Sequence, residues 1–73
     1  MARKKISADG ALYGRGIIIE MIAVGQFMKV SAFDERSLTE VSISGPVTTP
    51  THILQSNALK RLEYVLRKQG LID

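Results

Sequence analysis

The sequence predicts an α+β fold: a three-stranded antiparallel meander followed by one C-terminal helix packed on one sheet face (β-β-β-α). Three observations predict it. Residues 16–33, GIIIEMIAVGQFMKVSAF, are two runs rich in β-branched and aromatic residues separated by Gly25-Gln26, the composition and spacing of a hairpin. Residues 40–44, EVSIS, alternate polar and apolar side chains as a half-buried strand does. From Pro50 to Gly70 the apolar residues recur at helical spacing between a start signal and a stop signal.

The chain has 73 residues, enough for one small domain whose single core only just outweighs chain entropy. It has no cysteine, so neither disulfide nor thiolate metal site can supplement that core, and His52 is its one histidine, which excludes paired-imidazole metal sites. The start MARKK is basic but is followed by SADGALYGRG instead of an apolar run, and IIIEMIAV is short and broken by Glu20. Neither a secretory signal nor a membrane span is expected, and a cytoplasmic protein is.

The formal charge of +3 is unevenly placed. Residues 1–15 hold Arg3, Lys4, Lys5 and Arg15 against Asp9, whereas the remainder balances six cations with six carboxylates. Residues 1–15 lack sustained periodicity and are expected to form a flexible, disordered basic tail, leaving residues 16–70 as the domain and 71–73 as its C-terminal end.

Taken in order, the first strand spans residues 17–24 and the second 27–33. A two-residue loop with glycine first fits a type II′ turn and fixes the register: Val24 faces Phe27, Ile22 faces Lys29, Glu20 faces Ser31 and Ile18 faces Phe33. Ile19, Met21, Val30 and Ala32 then share the opposite face. The polar stretch 34–39 reads as a second loop. Pairing Phe33 with Glu40 places Val41 opposite Ala32 and Ile43 opposite Val30, so the third strand adds its apolar residues to that same face. Gly45-Pro46 ends it. Thr49 as N-cap with Pro50 at the first helical position, or Thr51 as cap, starts the helix, and Gly70 stops it. Leu54, Ala58, Leu59, Leu62, Val65 and Leu66 fall on one helical face, which should cover the Ile19/Met21/Val30/Val41/Ile43 surface. The first strand is then an edge.

The runs VGQFMKVSAFD, EVSISGP and ALKRLEYVLRK resemble a family of short alphaproteobacterial proteins labelled only as a domain of unknown function. The resemblance rests on Val24-Gly25, Lys29-Val30-Ser31-Ala32, Asp34, Glu40 to Ile43, Gly45-Pro46 and Leu62 to Leu66. Arg61 stands where that pattern has lysine. The resemblance covers about residues 16–69 and implies a cytoplasmic protein with no assigned activity or functional residues.

Lys60, Arg61, Arg67 and Lys68 surround Tyr64 on the helix side away from the core, an arrangement able to grip phosphates and stack a base. The ordinary alternative is a solvated face, with Glu63 pairing Arg67 at i,i+4 and the acids Asp34, Glu35 and Glu40 offsetting Arg67 and Lys68. The β-β-β-α order resembles the later part of double-stranded-RNA-binding domains, but PTHILQSN lacks the lysine cluster that such a closing helix carries at its start. Gly45 to Thr51 could hold an anion at the helix N-terminus, but it lacks the P-loop lysine and its prolines remove donors, so capping is the better account. Glu20 and Lys29 read as a cross-strand ion pair and not as an acid–base couple. No catalytic constellation, cofactor site or small-molecule substrate is expected, and the chain does not read as an enzyme.

The outer sheet face is what the ordinary account leaves over. Ile18, Ile22, Val24, Phe27 and Phe33 point away from the helix, and clustered exposed apolar residues mark interfaces. The expectation is a small interaction module, either a homodimer or bound to another protein, joined face to face or through pairing of its first strand at the edge. The competing account is that Tyr13, Leu38, Leu71 or Ile72 folds over the face. A nucleic-acid accessory protein using the basic tail and the helix cations is the rival function.

Overall fold

Gly25 and Gln26 organise the sheet. In the computed structural model, which describes residues 2–73, Gly25 has φ +60° and Gln26 does not share the positive φ, as a type II′ turn requires. Strands β2 (Gly16–Val24) and β3 (Phe27–Asp34) pair antiparallel in the expected register, Val24 to Phe27 through Ile18 to Phe33. Strand β4 (Thr39–Pro46) follows with Phe33 opposite Glu40, Ala32 opposite Val41 and Val30 opposite Ile43. It runs two residues past the expected end, and Pro46 is tolerated because β4 is an edge.

Residues 2–15 depart from expectation, Met1 lying outside the described residues. They are not a disordered tail: β1 (Ala2–Ser7) pairs antiparallel with β2, Lys4 opposite Ile19 and Ile6 opposite Ile17. The sheet therefore has four strands in the order β1-β2-β3-β4, and β2 is a central strand instead of an edge. A short 3-10 helix, Gly10–Leu12, connects β1 to β2, with Ala8 and Leu12 joining the core.

Helix α1 (Thr51–Lys68) begins with Pro50 as its N-cap, one residue later than Thr49. Its end is a Schellman motif: the Gly70 N–H donates to Arg67 O and the Leu71 N–H to Leu66 O, with Gly70 at φ +73°. The helix packs over β3 and β4. Leu54, Ala58, Leu62 and Leu66, spaced four apart, are buried against Ile17, Ile19, Val30, Ala32 and Val41. Ile17, Ile19, Leu62 and Leu66 are nearly or fully excluded from solvent, each worth about 1.5–3 kcal/mol of burial. Leu59, Val65, Met21 and Ile43 pack partly buried at the margin.

A buried ion pair ties the ends of the chain to this core. Asp34 lies at the end of β3 on the helix side, opposite Ile17, and is fully buried. Its Oδ2 accepts from Arg15 Nη1 at 2.7 Å, from the Ser37 hydroxyl at 2.6 Å and from the Ser37 N–H at 3.1 Å. Arg15 is 7% exposed, and its Nη2 donates to Leu71 O at 3.0 Å. Burial alone would push the Asp34 carboxyl upward, but the Ser37 hydroxyl and N–H together with the Arg15 guanidinium outweigh it and hold the pKa below its ordinary value.

Candidate functional site

Period-two alternation divides the sheet into a helix side and an outer side. The outer side carries Arg3, Lys5 and Ser7 from β1; Ile18, Glu20, Ile22 and Val24 from β2; Phe27, Lys29, Ser31 and Phe33 from β3; and Glu40, Ser42 and Ser44 from β4. All five apolar residues singled out from the sequence lie here. Val24 and Phe27 flank the turn, 61% and 58% exposed, while Ile18, Ile22 and Phe33 are half-buried among their neighbours.

The face has rows as well as columns. One row reads Lys5, Ile18, Phe33, Glu40 across the four strands, and the next reads Arg3, Glu20, Ser31, Ser42. The Ser31 and Ser42 hydroxyls share a hydrogen bond of 3.0 Å. Between the rows lies a shallow depression of about 220 Å³ lined by Arg3, Ile18, Glu20, Ser31, Phe33 and Glu40. Lys5 Nζ pairs with Glu35 Oε1 at 2.8 Å, both side chains well exposed. Glu20 and Lys29 form no ion pair among the described residues, so the expected cross-strand bridge is not made.

The segments proposed as covers lie elsewhere. Tyr13 is 79% exposed, Leu38 73% and Leu71 46%, and Ile72 packs against the helix-side core. On the helix side, α1 leaves β1 uncovered. A second depression of about 290 Å³ there is lined by Ala2, Arg3, Lys4, Ile19, Met21 and Thr51. Lys4 occupies an inward-facing position of β1, which a cation tolerates because this part of the sheet stays open to water.

The helix cations form the stripe that the sequence indicated. Lys60, Arg61, Arg67 and Lys68 are exposed around Tyr64, itself 50% exposed. Arg61 Cζ and Lys68 Nζ lie 5.4 and 5.7 Å from the Tyr64 ring centroid, in cation–π range. Arg67 Nη1 meets Glu63 Oε2 at 3.5 Å, as the i,i+4 spacing implies, and its Nε donates to Asp73 O. Two of the three acids expected to offset this stripe are engaged by residues 2–15 instead, Asp34 holding Arg15 and Glu35 holding Lys5, while Glu40 makes no ion pair among the described residues.

Arg3, Lys5 and Arg15 are the contributors that sequence reasoning missed. For Arg15 the available signal was its partner: carrying the β3 alternation one residue past Phe33, into what the sequence reading takes as loop, places charged Asp34 on the core side. His52 is exposed in the first turn of α1. Among the described residues no group of three or more His, Asp or Glu side chains is placed to hold a metal ion, and no helix is long and apolar enough to cross a membrane.

A family described as Domain of unknown function (DUF6898) has a model that matches residues 14–69. No curated protein and no solved structure matches the chain.

Proposed function

We propose, for a chain that belongs to this family of unknown function, that it is a small interaction module that associates with a second copy of itself through the outer sheet face. The observation that carries this reading is the cluster Ile18, Ile22, Val24, Phe27 and Phe33, which neither α1 nor any connecting segment covers. Isologous pairing needs a self-complementary surface, and this face bears cations on the β1 edge, apolar residues on β2 and β3, and Glu40 on the β4 edge.

Association through the face is favoured over edge-to-edge pairing. The edges are β1, with Arg3, Lys4 and Lys5, and β4, which ends in Pro46, and charges and proline both discourage strand addition. Four strands of about eight residues present roughly 500 Å² of projected face. Two such faces give roughly 1,000 Å², the lower limit for a specific interface, so the dimer should be concentration-dependent. The nucleic-acid reading is the weaker one, because Arg61 and Lys68 already lie over the Tyr64 ring on which a base would stack.

Phe27→Glu places a charge on the apolar outer face at its turn end, without touching the core. It is expected to halve the mass measured by light scattering at concentrations where the parent protein is dimeric, with the helical circular-dichroism signal retained. A parent protein that is monomeric at the highest attainable concentration would sink the reading.

A further inference from the structure

The order of charges across the outer face specifies how a second copy sits on it. We propose that the dimer axis runs along the strands, so that β2 of each protomer lies over β3 of the other and Lys5 closes on the partner's Glu40. This rests on the reading of the outer face as the self-association surface.

A two-fold axis parallel to the strands reverses strand order while keeping each row at its own level. The row Lys5–Ile18–Phe33–Glu40 is thereby laid on its own reverse: cation on anion at both ends, and Ile18 on the partner's Phe33 twice in the middle. The other rows agree. Val24 meets the partner's Phe27, and Ile22 meets the aliphatic stem of the partner's Lys29. All five apolar residues of the face thus find apolar contact.

An axis perpendicular to the strands does the opposite. It lays β1 on β1, bringing Arg3 and Lys5 toward their own copies, and like charges brought together across an interface are strongly disfavoured. Packed sheets cross at about 30° rather than in perfect alignment, a displacement within the combined reach of a lysine and a glutamate at the sheet edges.

The depression lined by Arg3, Ile18, Glu20, Ser31, Phe33 and Glu40, about 220 Å³ in volume, lies along the same row. The partner's Phe33, placed over Ile18, sets its ring at the Ile18/Phe33 side of this depression, with the polar residues Arg3, Glu20, Ser31 and Glu40 around it. Lys5 is free to change partner, because its present bond to Glu35 is between exposed side chains of 65% and 40% accessibility, and such pairs contribute little.

The test is a charge exchange between protomers. Lys5→Glu and Glu40→Lys are made separately, and each is expected to weaken its own dimer by roughly tenfold or more, since each places two like-charged contacts at the interface. Mixed in equal amounts, they form a heterodimer with both contacts attractive. Native mass spectrometry should then show the heterodimer far above the statistical share, and the double variant in one chain should regain the parent's dimer mass. Circular dichroism of each variant establishes that the monomer is folded. Variants that dimerise as the parent does, or a mixture without heterodimer preference, overturn this orientation. Loss of the dimer by Phe27→Glu would in that event still uphold the face, whereas a monomeric parent overturns both.

Discussion

Asp34→Ala is expected to remove about 3–5 kcal/mol of stability, the usual consequence of leaving one member of a buried ion pair without its partner. A chain of 73 residues has roughly 4–11 kcal/mol in total, so the variant should be marginal or unfolded at 37 °C. The loss is not the energy of one contact. Asp34 Oδ2 is the common acceptor for Arg15, the Ser37 hydroxyl and the Ser37 N–H, so its removal strands a guanidinium that is 7% exposed and frees the turn between β3 and β4. Replacing both partners by apolar residues, Arg15→Met with Asp34→Leu, should cost much less, because no buried charge is then left alone. Urea midpoints of the three proteins check the ordering.

The same carboxylate sets a pH dependence. Its pKa in the folded protein is held below the ordinary 3.8, so its contribution is fully present above that value and is lost as pH falls through the lower folded value. The parent should therefore lose stability in acid with a component that Asp34→Asn lacks. Equal acid slopes in the two proteins would exclude Asp34 as the source.

Deleting residues 1–7 is expected to yield a chain that forms large assemblies or precipitates. The thermodynamic loss within the monomer is small. β1 buries almost no apolar surface apart from Ile6. Its ladder hydrogen bonds, about 0.5–1.5 kcal/mol each net, are offset by the backbone freedom regained, about 1–2 kcal/mol per residue. What changes is exposure. β2, GIIIEMIAV, becomes an edge rich in isoleucine whose one charge is Glu20, and an unpaired strand of that kind recruits other copies. Light scattering of the truncated chain should show masses well above a dimer. A monodisperse truncated protein with unchanged sheet signal would show that β1 is dispensable as a cover.

The contrast between these two regions explains what was legible in the sequence. The β2–β3 register followed from Gly25-Gln26 and from alternation, and β4 fell into place because Val41 and Ile43 joined the same apolar face. The outer residues Ile18, Ile22, Val24, Phe27 and Phe33 came with that register at no extra cost in information. β1 gave no such signal. ARKKIS has charges on both faces, because α1 lies over β3 and β4 and leaves the inner side of β1 open at Lys4. With neither side covered, alternation has no cause. Missing β1 also made β2 look like an edge and kept edge-to-edge pairing in play. Arg15 and Asp34 each look like ordinary charged residues, and their pairing needed a contact between positions 19 residues apart.

The bond from Arg15 to Leu71 O has a kinetic consequence. Every strand pair joins neighbours in sequence, through connections of two to eight residues, so the sheet can close hairpin by hairpin with little loop entropy to overcome. The Arg15–Leu71 contact spans 56 residues and can form only once α1 has docked and ended. Interactions made after the rate-limiting step leave the folding rate alone and slow unfolding. The clasp therefore acts as a brake on opening: its loss should steepen neither arm of a chevron but raise the unfolding one.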